Sequence, residues 1–421
     1  MVLTAFIFIA GYLLIALEHK VKIDKAAIAL LLGVLLWLFL VWDSTQLPEI
    51  LADLSVHFEA ITEILFFLLA AMTIVELIDS HHGFRVLNQL VKTDSKSKLL
   101  WVLSILTFFL SSVLDNLTTT IVMMAVLKRF VHTKADLWFF AGFVIIAANA
   151  GGAWSPIGDV TTIMLWNGGQ VTSGSIIAEV LLPSLACLLV PLLIVSFNFR
   201  GQQFAPKTET AVEQFSISRR ESNFILLLGM LLLLFVPVFK SLTGLPPVMG
   251  MIFSLCIFWL TTDILHRKKA SELRRQLSVA ATIQRVDTPS VLFFLGILLA
   301  VAAMEVNGSL GVMGRFLENT FDNFYLINTT LGLLSSVVDN VPLVAGAMGM
   351  YSMDVYPQDH DFWSFLAYCA GTGGSALIIG SAAGVAAMGI LKIDFLWYLK
   401  KISWLALIGY FSGILVYVLI N

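Results

Sequence analysis

The sequence predicts an all-α polytopic membrane protein made of two inverted repeats of five spans each, every repeat carrying one re-entrant hairpin and one interrupted helix. Three observations lead there. Apolar residues make up 58% of the 421-residue chain and charged residues 13%, with a mean hydropathy of +0.91; a soluble domain carries about 25% charge. Two short segments recur nearly unchanged, Ser111-Ser112-Val113-Leu114-Asp115-Asn116 and Ser335-Ser336-Val337-Val338-Asp339-Asn340, each inside an apolar stretch. A second pair follows at nearly the same offset, Gly151-Gly152…Gly158 and Gly373-Gly374…Gly380. Self-similarity on this scale is the mark of a duplicated unit.

Apolar runs of spanning length lie near 2–17, 26–42, 60–79, 136–166 and 175–199 in the first half, and near 221–239, 246–262, 289–305, 362–391 and 396–420 in the second. The first run lacks a basic stretch before it and a small-x-small site after it, so it reads as a span and not as a signal peptide. The stretches 98–131 and 323–352 carry the Asp-Asn segments at their centres. As a helix, Leu99–Leu114 rises roughly 24 Å, short of the ~30 Å hydrocarbon core. Each stretch is therefore expected to enter the membrane, turn near its middle and leave on the same side.

Charge placement agrees. With the N-terminus outside, the cytoplasmic segments are 18–25, 80–98, 128–135, 200–220, 263–288 and 392–401, and they hold 23 of the 25 Lys and Arg; only Lys240 and Arg315 fall elsewhere. The opposite loops are acidic or neutral, for example with Asp43, Glu49, Asp53 and Glu59, then Asp354, Asp359 and Asp361. This positive-inside bias holds only if both Asp-Asn segments are hairpins. Five spans per half is an odd number, so the second half runs in the opposite sense. The predicted division is 1–200 for the first repeat, 201–220 for a cytoplasmic linker and 221–421 for the second repeat, with both termini on the non-cytoplasmic side of a cell inner (plasma) membrane. The basic loop 263–288 is read as contacting lipid headgroups, not nucleic acid. Cys187, Cys256 and Cys369 have no paired spacing and read as small buried hydrophobes. No cofactor is expected.

The chemistry is expected at the tips and the breaks. Asp115-Asn116 with Thr119, and Asp339-Asn340 before Pro342, fall where a hairpin turns. Asp and Asn favour caps and turns, and proline suits the first position of a returning helix. A turn inside the membrane leaves backbone groups unpaired, tolerated only against a protein-lined, wet cavity. Those carbonyls, with carboxylate, amide and hydroxyl oxygens, are hard ligands for a small cation such as Na⁺ or Li⁺. Simple helix capping by Asp115 and Asp339 is the plainer alternative, and compatible with ion binding. In 136–166 the glycines and Pro156 interrupt the helix, placing Asn149 and Ser155 before the break and Asp159 and Thr162 at the start of the second half-helix. The matching break in 362–391 holds Ser375 and Ser381, so neutral Ser381 stands where the first half has Asp159. An intramembrane carboxylate is costly and functional by default. Glu76 and Glu305 end the third and eighth spans at matching places and are secondary candidates, with an interfacial role the alternative. His81 and His82, at a cytoplasmic boundary, are either solvated or pH-sensing.

Ser-Ser-Val-Leu-Asp-Asn-Leu-Thr-Thr-Thr followed by Asn-Ala-Gly-Gly-Ala-Trp-Ser-Pro-Ile-Gly-Asp-Val-Thr-Thr resembles the NhaD-type sodium/proton antiporters of the ion transporter superfamily. The resemblance spans essentially the whole chain. More distantly the chain is similar to divalent anion/sodium symporters, whose neutral Ser-Asn-Thr tips here become Asp115-Asn116-Leu117 and Asp339-Asn340-Val341. The resemblance implies scaffold and transport domains, commonly in a homodimer. With the carboxylates it implies exchange of Na⁺ or Li⁺ for H⁺: burial disfavours a charged carboxylate and a bound cation restores it, so the two ions compete. Asp159 and Asp115 are expected to hold the ions, with Asn116, Asn149, Ser155 and Thr162 completing the oxygen shell and Asp339 and Asn340 as the pseudo-symmetric partner. The rival reading is a sodium-coupled symporter for a di- or tricarboxylate, with Ser375 and Ser381 serving the anion. An intramembrane protease is disfavoured: Pro156 interrupts any Gly-x-Gly-Asp motif, and no histidine lies mid-span.

Overall fold

The computed structural model describes residues 2–16, 22–43, 47–87, 91, 93, 95–131, 133–199, 201–204, 217–267, 269–321 and 323–421. The centre of the linker expected at 201–220 lies outside the described residues. All regular structure among the described residues is helical. The first half consists of α1 (Val2–Ala16), α2 (Lys25–Asp43), α3 (Leu47–Ser80), α4 (Lys96–Leu114), α5 (Asn116–Phe130), α6 (Lys134–Ala153), α7 (Val160–Asn167) and α8 (Ser173–Asn198). The second consists of α9 (Arg219–Thr243), α10 (Pro247–His266), the short α11 (Ser271–Gln276) and α12 (Val279–Ile283), α13 (Thr288–Val306), α14 (Ser309–Thr320), α15 (Phe324–Leu334), α16 (Asn340–Met350), α17 (Asp361–Gly373), α18 (Ala382–Leu391), α19 (Phe395–Lys401) and α20 (Ser403–Ile420). Nine of these helices are long and apolar enough to cross a membrane, and exposed Leu, Phe and Ile side chains cover much of α2, α9 and α10. A protein that faces lipid keeps such residues outward. The chain is a multi-pass membrane protein.

Several boundaries depart from the sequence expectation. The span expected at 60–79 begins at Leu47: Pro48 starts the helix and neither Gly nor Pro follows before Gly83, so α3 runs for 34 residues. The acidic residues Glu49, Asp53 and Glu59, expected in a loop, ride on its first turns. The final run splits at Ile402, directly after the Lys400-Lys401 pair that ends α19, and α19 turns 118° away from α18. The first arm of the first hairpin, α4, is 19 residues and matches a span in length; a sharp tip at Asp115, not a short arm, reverses the chain there.

Both halves hold their hairpin and broken helix together in the same way. Ser111 Oγ donates to the Ala148 carbonyl at 2.6 Å, and Ser335 Oγ to the Ala370 carbonyl at 2.7 Å. These bonds tie α4 to α6 and α15 to α17. The helices cross at a glycine each time: a Cβ on Gly151 would stand 2.1 Å from the Phe108 carbonyl oxygen, and one on Gly373 2.0 Å from that of Gly332. Only glycine permits backbones this close. The hairpins themselves differ. The arms α4 and α5 pack on each other, whereas α15 runs along α17 and α16 leans on α13 and α7. At the centre lies α6, buried over its whole second half from Phe140 to Ala153.

Candidate functional site

Asp159 is the focus. It stands in extended backbone (φ −147°, ψ 149°) as the N-cap of α7, after the break that Gly151, Gly152 and Pro156 impose on α6. Its Oδ1 accepts from the backbone N–H and the hydroxyl of Thr161, at 3.0 and 2.9 Å. Thr162 closes a capping box: its hydroxyl accepts from the Asp159 N–H and donates to the Asp159 carbonyl. Asp159 is 1% exposed. An Asp cap on a surface helix faces water; this one faces the two hairpin tips.

From the first tip, Asn116 Nδ2 donates to Asp159 Oδ2 at 2.5 Å and to Asn149 Oδ1 at 3.2 Å. From the second, Asn340 Nδ2 lies 3.3 and 3.2 Å from the two carboxylate oxygens. Asn149 Nδ2 continues the network, donating to Ser375 Oγ and Ser381 Oγ, each at 2.9 Å. Ser381 caps α18 in nearly the same conformation as Asp159 (φ −149°, ψ 153°), accepting from the Gly384 N–H. One continuous set of side chains thus runs from the carboxylate of the first break to the hydroxyls of the second.

The other predicted residues fall around this set. Asp115 takes an unusual backbone conformation (φ 73°) and caps α5, its two oxygens accepting from the N–H and hydroxyl of Thr118, both at 2.8 Å. It does not hydrogen-bond Asp159; the two carboxylates repel across the tip. Asp339 makes no side-chain cap, and its Oδ1 is buried without a hydrogen-bond partner among the described residues. It is repelled by Asp159 and attracted by Lys25. Ser155 turns away, donating to the Ser112 carbonyl at 2.6 Å. Thr119 Oγ1 is buried with no partner among the described residues. Glu76 and Glu305 are not part of the cluster: Glu76 sits near Arg285 (4.0 Å), and Glu305 is exposed.

Thr161, Thr118 and Lys25 escaped the sequence reading. An Asp followed two residues later by Thr at a helix start is a legible signal for Thr161. Lys25 carries none, because the chain around it reads as an ordinary basic loop. A cavity of 510 Å³ between α2, α5, α13 and α18 is lined by Asp24, Lys25, Asp287 and Ser290 with Leu117, next to the first tip. A smaller one of 110 Å³ reaches Thr118 past Glu76, Asp79 and Arg285.

Two hairpin tips and two broken helices converging on one buried carboxylate, in a multi-pass helical protein, define a membrane transporter. The chain belongs to the CitMHS family, described as citrate transporter, whose model matches residues 12–364. It is 43% identical over 419 residues to sodium/proton antiporter 1 of Arabidopsis thaliana, covering 99% of this chain and 72% of that protein. It is 31% identical over 445 residues to the Na⁺/H⁺ antiporter NhaD of Vibrio cholerae, covering 99% and 91%. These relatives place it with the NhaD-type proteins that its motifs resemble. Its fold is similar to the crystal structure of the YdaH transporter of Alcanivorax borkumensis, with a TM-score of 0.57 at 11% identity, covering 90% of this chain and 89% of that one.

Proposed function

We propose that the chain exchanges Na⁺ or Li⁺ for H⁺, with proton entry driving sodium extrusion, and that Asp159 is the group the two ions share. The observation that carries this reading is a buried carboxylate whose hydrogen-bond donors are all neutral and come from both halves of the chain. Among the described residues no Lys, Arg or His donates a hydrogen bond to it, which leaves room for a mobile cation or a proton. A proton on Asp159 neutralises the site. A cation does the same if the amides turn over: the oxygen and nitrogen of an Asn amide occupy the same envelope, so rotating Asn116 and Asn340 replaces donors with oxygen ligands. Rotation of Asn149 accommodates Asn116, because the Ser375 and Ser381 hydroxyls can donate as well as accept. Thr119 Oγ1 and the Asp115 carboxylate are further oxygens beside the first tip.

The two halves act in this reading as inverted repeats, 1–200 and 221–421 about the linker, which support alternating access to a midplane site. Asp24, Lys25 and Asp287 of the larger cavity belong to segments that the charge bias assigns to the cytoplasm, which supports an inward-open state. The same bias puts both termini outside the cytoplasm of an inner (plasma) membrane, and the family resemblance supports a homodimer.

Citrate symport is the second reading, favoured by the family's description. Three carboxylates, Asp115, Asp159 and Asp339, stand near one another at the tips and repel a tricarboxylate. The test is exchange in everted vesicles: Na⁺ or Li⁺ should collapse an imposed acid-inside gradient in wild type, and Asp159→Asn should abolish this at matched expression. Counterflow of labelled citrate without any cation-driven proton movement would overturn the proposal in favour of the symporter.

A further inference from the structure

Away from the tips, three side chains meet where α3 ends and where α9 begins and α10 ends. His81 Nε2 lies 3.2 Å from His266 Nε2, which lies 3.1 Å from Glu221 Oε1, and the three atoms are all within 4.8 Å of one another. The imidazole planes lie 13° from parallel with centroids 4.9 Å apart, and the rings approach by their Nε2 edges. Both histidines are buried; Glu221 is partly exposed. The Asp159 chemistry uses none of them.

The hydrogens do not suit a simple polar contact. His81 Nδ1 faces the Leu77 carbonyl at 2.6 Å. A carbonyl only accepts, so Nδ1 carries the proton. A neutral ring that spends its one proton on that carbonyl leaves its Nε2 bare. His266 Nε2 has at most one hydrogen to offer two acceptors, His81 Nε2 and Glu221 Oε1. A metal cation between the three atoms would satisfy them together. A ring nitrogen fixed by a backbone carbonyl while the other faces inward is the usual arrangement of a metal-binding histidine. Tetrahedral coordination with metal–nitrogen bonds of about 2.0–2.1 Å separates neighbouring ligand atoms by about 3.3 Å, close to the two spacings that His266 Nε2 makes, at 3.2 and 3.1 Å. Two imidazoles and a carboxylate suit Zn²⁺ or a neighbouring transition ion, with water in the fourth position.

We propose that His81, His266 and Glu221 form a binding site for a divalent transition cation of the Zn²⁺ type, which staples the end of α3 to α9 and α10. Lys269 is its built-in competitor. Its ammonium, partly exposed, donates to the same Glu221 oxygen and must leave when the metal binds.

The full chain, purified in detergent without a polyhistidine tag, tests this by titration with Co²⁺. Saturable binding of one ion per chain is expected, with the intense visible bands of tetrahedral cobalt, displaced by Zn²⁺. His81→Gln and His266→Gln should each weaken binding at least about tenfold, His82→Gln should leave it unchanged, and Lys269→Met should tighten it. Lys269→Met removes no ligand, so it keeps the test open if a histidine variant fails to fold. Absence of one-to-one binding in wild type, undiminished binding in both His81→Gln and His266→Gln, or no gain in Lys269→Met would each overturn the proposal.

Discussion

Asn116 and Asn340 occupy equivalent places on two hairpin tips in opposite halves of the chain, and both aim their side-chain amides at the carboxylate of Asp159. The two copies of the motif have diverged in what surrounds them, since Asp115 caps its helix and Asp339 does not. They have kept the amides that reach across to one acid.

Removing either amide should therefore weaken cation binding without unfolding the protein. Each amide, once turned over, supplies an oxygen ligand to the bound cation, a charge–dipole contact of the order of a hydrogen bond to a charged group, about 1.5–3 kcal/mol, so Asn116→Ala and Asn340→Ala should each raise the apparent KM for Na⁺ by about ten- to a hundredfold. The double variant should be less than multiplicative, because both act on one carboxylate. Initial rates of proton efflux at varied Na⁺ measure this; unchanged KM in both single variants would count against a shared site.

Competition for Asp159 fixes the sign of the pH dependence. Acidification loads the carboxylate with protons, so apparent KM for Na⁺ should rise as pH falls, approaching about tenfold per pH unit in the acidic limit for a single competing proton. Maximal rate at saturating Na⁺ should change less. A KM independent of pH between 6 and 9 would argue for separate sites.

Thr161→Val deletes the hydroxyl that donates to Asp159 Oδ1 while keeping the backbone N–H bond. Losing a donor to the charged form favours the protonated one. The KM-against-pH curve should move toward alkaline pH, and Thr161→Ser should restore it.

Gly151→Ala and Gly373→Ala each put a methyl group against a carbonyl oxygen of the neighbouring helix, Phe108 and Gly332 respectively. Overpacking against backbone costs typically 1–3 kcal/mol or more. Both variants should melt earlier by fluorescence-detected size-exclusion and lose exchange, whereas Gly389→Ala, where a Cβ would meet nothing within 4 Å, should behave as wild type.

The duplicated Ser-Ser-x-x-Asp-Asn segments made both tips legible in the sequence, because a polar pair inside an apolar run has few uses other than a turn. The break before Asp159 was legible for the same reason. Distances were not. Nothing in the spacing distinguishes Asn340, which reaches Asp159, from Ser155, which turns to the Ser112 carbonyl, since both lie beside an interruption. The length of α3 was hidden because its first turns are too polar to read as a span but contain no residue that stops a helix. Pairing of His81 with His266 links segments distant in the chain, and no local pattern encodes it.

The crossings at Gly151 and Gly373 leave no room even for a methyl group, so the first arm of each hairpin and its interrupted helix pack backbone to backbone. Opening toward one side of the bilayer is expected to leave these two helix pairs together. The gliding surface has to lie where larger side chains separate the helices, and labels placed on α4 and α6 should keep their mutual distance through a full turnover.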